Sequence, residues 1–340
     1  MDKINLSYFF FYTSLFIFKI IIFLLLFSIF ILMFKTFFKT SKKKLNSIDL
    51  INLNSKYDNE KDLLYHRVLE KKQYKNYLKR VKEIRKKRNE TYLNNNKIYL
   101  IKFKGDMKAS KIDFLRNATT SLLRIMKTKD EVLILIESPG GLVSNYGLAA
   151  SQIERFRKNN IRVTVLIDLV AASGGYLMAC VANKIISAPF AIVGSIGVVA
   201  QIPNIHRFLE KLNIDVEQHT SGQYKRTLTL LGKNDEKGRK KFIQDLKNTH
   251  DLFKMFVKKY RPEIDIDKVS TGEYWYGLQA LDLNLIDEIK TSDEFIFEQI
   301  QKHQIYEIKM NTKSSIKNKI QLYINNIIYD IYYKIINKFI

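Results

Sequence analysis

From position 97 onward, short apolar runs alternate with longer segments whose apolar residues recur every three or four positions. The short runs are rich in Val and Ile and predict buried strands, whereas the wider spacing predicts amphipathic helices. The predicted strands are Ile98–Phe103, Val132–Ile136 and Val163–Ile167, and the predicted helices are Lys111–Met126 and Asn145–Phe156. Because strands that alternate with helices form a parallel sheet covered by those helices, the pattern predicts an α/β fold.

Another long apolar stretch, Ile185–Pro203, is hydrophobic enough to suggest a membrane span. Pro189, Gly194 and Gly197 interrupt it, so we expect short strands packed inside the domain and no span there. The following segment, Lys233–Tyr260, has helical spacing and is expected to cover one face of the sheet.

The N-terminal region is dominated by Phe, Ile and Leu, and Ile20–Phe34 carries no charge. Residues Ile17–Phe38 supply the roughly 20 apolar residues that a spanning helix needs, provided that Lys19 reaches the interface. A cleaved signal peptide is the alternative, but no small-residue cleavage pattern follows. We therefore expect residues 1–44 to form an N-terminal membrane anchor with a transmembrane helix and a basic flank.

The segment at 45–96 is rich in Lys, Arg, Glu, Asn and Tyr and contains no Pro or Gly. Its apolar residues fall largely at three- and four-residue spacings, which predicts a charged helical stalk. The basic run Arg85–Arg88 predicts either a contact with acidic lipid headgroups or simply a solvated helix face.

The formal net charge is +23. Lysine far outnumbers arginine, and Asn, Ile, Phe and Tyr are abundant, which is the pattern of an AT-rich genome. No nucleic-acid-binding motif accompanies the charge, so we expect no nucleic-acid partner. Cys180 is the single cysteine, which excludes an intrachain disulfide and a thiol-based metal site. Neither an HExxH motif nor a close cluster of His, Cys and carboxylate residues is present, so no metal is expected.

Ser173 lies in the break AASGG between a predicted strand and the apolar segment Tyr176–Ala182, which predicts a helix. A serine there is exposed at the strand end, close to free N–H groups at the helix start, as a nucleophile requires. Serine is also a preferred N-cap residue, so this stretch alone leaves a helix cap open.

Five motifs follow one another in order: SPGG at Ser138–Gly141, AASGGY from Ala171, GSIGV from Gly194, SGQYKRTLT from Ser221 and TGEYWYGLQALDLNLIDEI from Thr271. In this order and spacing, from about Ile98 to Ile289, the chain resembles the signal-peptide peptidase A family of membrane serine proteases, most closely its SohB branch. The resemblance implies a ClpP/crotonase-like fold for a peptidase domain at 97–300. It also implies a Ser/Lys dyad without a cofactor.

Carried over by motif, Ser173 is the nucleophile, Lys225 is the general base and Ser195 orients the lysine. A tetrahedral intermediate needs donors fixed in advance, so we expect an oxyanion hole formed by the N–H of Gly174 with that of Gly141 or Gly140, where glycine permits close approach. The alternative is that these glycines simply make turns. A lysine accepts a proton only as a neutral amine, which burial among apolar side chains favours. If Tyr224–Thr227 is extended, Arg226 points away from Lys225.

Three alternatives remain at this point. His206 and His219 flank a predicted helix at Ile205–Leu212 and, with Asp168, could form a Ser-His-Asp arrangement. The implied fold also suits a crotonase-like acyl-CoA enzyme. A catalytically weak membrane scaffold is the third reading.

Two smaller features complete the matched region. Trp275 and Tyr276 are expected to pack in a turn before a helix at Leu278–Leu281. Asn284 stands where the family usually has glycine, and asparagine tolerates a left-handed backbone.

The resemblance implies peptide or membrane-protein substrates, extended and apolar, and a ring-like homo-oligomer at the bacterial inner membrane, in contact with membrane lipid. It also suggests a catalytic domain outside that membrane. Lys35, Lys39, Lys42, Lys43 and Lys44 lie near the C-terminal end of the predicted span or after it, and only Lys3 precedes the span. By the positive-inside rule this predicts a cytoplasmic domain. Residues 301–340, ending in the Ile- and Tyr-rich stretch Lys317–Ile340, are expected to form an amphipathic tail on the membrane or between subunits.

Overall fold

The computed structural model describes residues 13, 15–25, 27–28 and 47–311. The chain divides into two units, one of residues 1–47 and 311–340 and one of residues 48–310. In the first unit the described residues between 13 and 28 are helical. None of the helices in the described ranges is long and apolar enough to cross a membrane. Much of the predicted span Ile17–Phe38 and all of the stretch Lys317–Ile340 lie outside the described residues.

The larger unit is built on a seven-stranded sheet with the strand order β1-β10-β2-β3-β4-β6-β9. Each pair with a defined register, from β10–β2 across to β6–β9, is parallel. The strands are β1 (Ser47–Asn52), β2 (Lys97–Lys104), β3 (Glu131–Glu137), β4 (Arg162–Ile167), β6 (Lys184–Ser187), β9 (Glu288–Ile289) and β10 (Gln304–Asn311). This confirms the α/β class predicted from the alternating pattern.

A second sheet of three short strands carries the candidate active site. It consists of β5 (Val170–Ala172), β7 (Ile192–Gly194) and β8 (Tyr274–Tyr276), in the order β5-β7-β8. Strand β7 pairs in parallel with β5 and antiparallel with β8. The apolar stretch Ile185–Pro203 is therefore divided between β6 and β7, as its Pro and Gly residues predict.

Ten helices of the larger unit surround the two sheets. They are α1 (Leu53–Val68), α2 (Lys71–Asn94), α3 (Ile112–Leu123), α4 (Val143–Lys158), α5 (Gly174–Ala179), α6 (His206–Lys211), α7 (Glu236–Tyr260), α8 (Ile266–Val269), α9 (Gly277–Asp282) and α10 (Ser292–Ile300). The predicted helices of the matched region appear as α3, α4, α5, α6, α7 and α9.

The strands of the large sheet are apolar on both faces because each face packs under helices. In β2, Tyr99, Ile101 and Phe103 belong to the main core, together with residues of α3, α4 and α5. Ile98 and Leu100 point to the opposite face, where Phe295 and other residues of α10 cover them. Strands buried on both faces read as continuous apolar runs, which is why the sequence identified them.

Two parts of the fold differ from the predicted secondary structure. The stalk segment begins with β1 and then forms two helices, α1 and α2, where one helical stalk was expected. The first part of the predicted tail forms β10, which lies in the sheet between β1 and β2 and buries Ile305 and Ile308. Both strands are defined by pairing with partners that are distant in sequence, so local periodicity gave no sign of them.

Candidate active site

Ser173 forms the turn between β5 and α5. Its backbone angles, φ 52° and ψ −118°, lie in a region that residues other than glycine rarely adopt. The N–H of Ser173 donates to the carbonyl oxygen of Gly194 at 2.8 Å, and its own carbonyl accepts from the N–H of Leu177 at 2.9 Å. A strained strand-to-helix turn of this kind presents a serine hydroxyl at the edge of a sheet.

The Ser173 hydroxyl does not cap the helix that follows it. No side-chain capping hydrogen bond is made at the start of α5, and the hydroxyl forms no hydrogen bond with any other residue in the described part of the chain. The helix-cap interpretation of Ser173 is therefore wrong. An N-cap serine needs an extended backbone, whereas the left-handed turn here directs the side chain elsewhere.

The loop Ser138–Gly141 lies against this turn. The N–H of Ser138 donates to the Val170 carbonyl at 2.8 Å, which ties the loop to β5. Gly140 has φ +93°, and a Cβ atom added to it would lie 2.7 Å from both the Gly174 nitrogen and the Ser173 Cβ. Only glycine permits this approach, so the SPGG loop and the serine turn are in direct backbone contact.

Two of the three candidate oxyanion donors are available. The N–H of Gly140 donates to the hydroxyl of Ser138 at 3.1 Å and is therefore occupied. The N–H groups of Gly141 and Gly174 donate to no acceptor among the residues that the structure describes. Gly174 opens α5, where main-chain N–H groups lack intrahelical partners. The arrangement thus favours Gly141 over Gly140 as the second donor.

Tyr146 of α4 contacts both the SPGG loop and the serine turn. The sequence analysis did not single it out. Its hydroxyl donates to the carbonyl of Asp106 at 2.7 Å and lies 2.6 Å from the hydroxyl of Ser138. Burial raises the pKa of this phenol, so it stays a neutral donor. A Cβ atom added to Gly174 would lie 2.4 Å from Cγ of the Tyr146 ring, so α5 rests directly on that ring.

Ser195 lies beside Ser173. In the parallel pair of β5 and β7, Ala172 is opposite Gly194, so both serines follow their strands at the same edge. Ser195 has φ 51°, and its N–H donates to the carbonyl of Glu273 at 2.7 Å. The small sheet therefore brings the predicted nucleophile and the predicted orienting serine together.

Lys225 does not join this cluster within one chain. Its side chain is exposed, no hydrogen bond links it to Ser173 in the described ranges, and it does not line the pocket beside that serine. The segment is a turn, with Gly222 at φ +99° and the N–H of Lys225 donating to the Gly222 carbonyl at 3.1 Å. The extended conformation assumed for Tyr224–Thr227 is therefore wrong, and the argument it gave for Arg226 does not hold.

An apolar pocket of about 160 Å³ opens next to Ser173. Ser173, Gly141 and Gly174 line it, together with apolar side chains that include Leu177, Val198 and Phe253. The last of these comes from α7, which the sequence analysis treated only as a cover for the sheet. Its apolar stripe gave a signal for burial but none for a position at the active site.

The Ser-His-Asp alternative finds no support in the geometry. Asp168 accepts hydrogen bonds from the N–H and the hydroxyl of Ser292, at 2.8 Å and 2.5 Å. His219 is exposed and lies 3.2 Å from Glu217, and neither it nor His206 lines the pocket at Ser173. Asp168 therefore fixes the start of α10.

Two smaller expectations are consistent with the structure. The Trp275 ring packs on Gly194, where an added Cβ atom would lie 2.7 Å from it, although the residue sits in β8 and not in a turn. Asn284 has φ 59°, the left-handed conformation expected of it.

Comparison with known proteins places the chain in a family. Residues 155–306 match the model of peptidase family S49, and residues 8–153 match its N-terminal model. The chain is 45% identical over 291 residues to the "Probable protease SohB" of Haemophilus influenzae, covering 82% of each chain. It is 50% identical over 268 residues to the "Probable protease SohB" of Buchnera aphidicola subsp. Schlechtendalia chinensis, covering 75% of this chain and 88% of the relative.

Solved structures show a weaker similarity. A "1510-N membrane-bound stomatin-specific protease" in complex with a substrate peptide matches 68% of this chain and 99% of its own, at 14% identity and a TM-score of 0.41. Scores below 0.5 do not assign a fold, so the ClpP/crotonase-like topology stays a prediction. The sequence relationships are sufficient by themselves, and they establish that the chain belongs to peptidase family S49 and is a serine protease of the SohB type.

Proposed function

We propose that the chain hydrolyses peptide bonds with Ser173 as the nucleophile and Lys225 of a neighbouring copy as the general base. The observation that carries the proposal is the Ser173 turn. In the described residues its hydroxyl has no hydrogen-bond partner, and its backbone is strained. It lies beside an apolar pocket and beside the N–H groups of Gly141 and Gly174, which donate to no acceptor there. Strain held at one position by surrounding hydrogen bonds is typical of active sites.

In the proposed reaction the Ser173 oxygen attacks the carbonyl carbon of the scissile bond, and the lysine amine takes the hydroxyl proton. The carbonyl oxygen becomes an oxyanion that accepts hydrogen bonds from the N–H groups of Gly141 and Gly174. When the intermediate collapses, the C–N bond breaks and the lysine returns the proton to the leaving amine. The lysine amine then takes a proton from water, which attacks the acyl carbon. The ester bond to Ser173 breaks, the acid product leaves, and the lysine returns the proton to the serine oxygen.

The pocket supports an apolar substrate side chain next to the scissile bond. Aliphatic and aromatic side chains line it together with Ser173, Gly141 and Gly174. A peptide bound there buries apolar surface worth about 25 cal/mol for each Å². Extended apolar peptides are therefore the proposed substrate class.

A second copy accounts for the position of Lys225. The segment that carries it, residues 195–235, exposes many apolar side chains: Val199, Phe208, Leu212, Ile214, Tyr224 and Leu230. So many exposed apolar side chains in one segment support a protein interface there. If the lysine of each copy reaches the serine of the next, the contact is heterologous, and it forms a ring where the rotation between copies closes. The same contact removes water from the amine and places Ser195 within reach to orient it.

We also propose that the apolar N-terminal segment anchors the protease in the bacterial inner membrane. The uncharged run Ile20–Phe34 and the lysines that follow it support this. The test is extraction of cell membranes with alkaline carbonate. The full chain should stay in the pellet, a variant lacking residues 1–44 should be released, and release of the full chain would contradict the anchor.

The experiment for the catalytic proposal uses single substitutions in the full-length protein. Ser173→Ala should abolish labelling by a fluorophosphonate, and both Ser173→Ala and Lys225→Ala should lower hydrolysis of an apolar fluorogenic peptide at least about 10³-fold. Lys233→Ala, which removes another exposed lysine of the same segment, is the matched control and should retain activity. Full activity in the Lys225 variant would refute the dyad.

A further inference from the structure

Helices α1 and α2 form a hairpin whose interior is closed by polar contacts. Arg85 donates to both carboxylate oxygens of Asp62, at 3.0 Å and 2.9 Å, and Arg88 pairs with Asp58. The hydroxyl of Tyr77 donates to Asp62 at 2.8 Å. These contacts lower the pKa of the Asp62 carboxyl, although its burial acts in the opposite direction. Arg85 and Arg88, considered above as lipid contacts, therefore form ion pairs within the hairpin.

The other end of the hairpin, where α1 gives way to α2, exposes a group of aliphatic side chains. Leu63, Leu64 and Val68 are 64%, 65% and 79% exposed. They occupy the last two turns of α1, and the interior contacts of the hairpin here are made by the rings of Tyr65 and His66 with those of Tyr77 and Tyr74. We call this end, residues 61–75, the hairpin tip.

The hairpin tip is also basic. It contains five basic residues and only two acidic ones, Asp62 and Glu70. The basic residues are Lys61, Arg67, Lys71, Lys72 and Lys75, and Asp62 is already paired with Arg85. The three lysines that open α2 are exposed and form no ion pair with any residue in the described ranges. Over Leu53–Asn94 as a whole, thirteen lysines and arginines against six aspartates and glutamates give a net charge of +7.

We propose that the hairpin tip binds the surface of an anionic lipid bilayer. Exposed aliphatic side chains and unpaired lysines at the same end of the hairpin match the two layers of such a surface, because the aliphatic groups enter the acyl boundary while the ammonium groups meet the headgroups. A nucleic acid would use the lysines but would leave Leu63, Leu64 and Val68 in water. This contact is separate from the proposed N-terminal anchor, and it would fix how the peptidase is held relative to the membrane.

The test uses the full-length protein in vesicles and reports on the tip alone. Leu63→Cys is labelled with an environment-sensitive fluorophore, since Cys180 is fully buried and stays unreactive in the folded protein. In phosphatidylcholine vesicles that contain phosphatidylglycerol, the label should shift to the blue and be quenched by nitroxide lipids. Phosphatidylcholine alone should give neither effect. The same label at Phe297→Cys, an equally exposed apolar position on α10, should remain in water in both.

Charge reversal provides the matched comparison. Lys71→Glu, Lys72→Glu and Lys75→Glu together should weaken the lipid contact by at least about 10²-fold, because each lysine near an anionic surface contributes about 1 kcal/mol. Reversal of the same number of exposed lysines on the body of the protein, Lys111, Lys127 and Lys129, should leave the contact unchanged.

Two outcomes would overturn the proposal. One is a label at the tip that stays in water with phosphatidylglycerol present. The other is a label that responds to single-stranded RNA and not to vesicles. Peptide hydrolysis in detergent is measured on the same samples and should be equal in all variants, so a failure of the lipid contact and a failure of the catalytic proposal are observed separately.

Discussion

Gly140→Ala tests the contact between the SPGG loop and the serine turn. The added carbon would lie 2.7 Å from the Gly174 nitrogen and from the Ser173 Cβ, whereas ordinary contact begins at 3.4 Å. The loop and the turn must therefore separate by roughly 0.7 Å, the difference between those distances. A misplacement of about 1 Å at a reacting centre costs about 10²-fold in rate, and loss of one oxyanion donor costs about 10²–10³-fold. We expect kcat to fall at least about 10²-fold.

Gly272→Ala separates this effect from backbone strain. Gly272 has φ +91°, close to the +93° of Gly140, but an added Cβ atom there meets nothing within 4 Å. Gly272→Ala should lose about 1–2 kcal/mol of unfolding free energy, since it forces alanine into a left-handed conformation. Gly140→Ala should lose at least as much, because its added carbon also overlaps the serine turn. The assay measures kcat and KM on a fluorogenic peptide, the rate of fluorophosphonate labelling and Tm. Equal kcat/KM in the two alanine variants would refute the proposed oxyanion geometry.

Three further predictions concern Glu154, Tyr146 and Cys180. Hydrogen bonding from Tyr260, with Lys158 and Lys259 nearby, lowers the pKa of Glu154 to about 2 despite its burial, so Glu154→Gln should lower the unfolding free energy by about 2 kcal/mol at pH 7. That difference should shrink as the pH falls below about 4.5 and vanish near pH 2, and denaturant titrations that show a constant difference would contradict it. Tyr146→Phe removes the donor to the Asp106 carbonyl and should cost about 1–3 kcal/mol of stability with a loss of kcat, whereas unchanged Tm and kcat would exclude its supporting role. Burial raises the pKa of the Cys180 thiol, so Ellman's reagent should react with it only after unfolding, and rapid reaction in native buffer would contradict its burial.

The sequence predicted the strands and the serine turn because their signals are local. Val163–Ile167 reads as a buried strand from its own composition, and the AASGG break marks the turn at its end. The backbone conformation of Ser173 and the close approach of Gly140 depend on how the two loops pack together. The SPGG and AASGG motifs show only that a pair of glycines stands at each place. Local pattern and motif therefore located the serine turn and the SPGG loop that lies against it.

Other features depend on partners that local pattern does not contain. Strand β10 is buried only because it lies beside β2, some 200 residues earlier in the chain. Phe253 of α7 reaches the pocket through tertiary packing, and its helical spacing predicts burial without saying against what. The exposure of Lys225 was likewise not foreseen, because an apolar neighbourhood in sequence was taken for an apolar neighbourhood in space.

The most direct test of the central claim is complementation between two inactive variants. Ser173→Ala and Lys225→Ala are co-expressed with different affinity tags, and the mixed assemblies are isolated by two successive purifications. If the serine of one copy works with the lysine of another, part of the sites in the mixture regain both groups, and peptide hydrolysis and fluorophosphonate labelling should return to a substantial fraction of the wild-type level. Mixed assemblies that remain as inactive as either variant alone would contradict a dyad shared between copies.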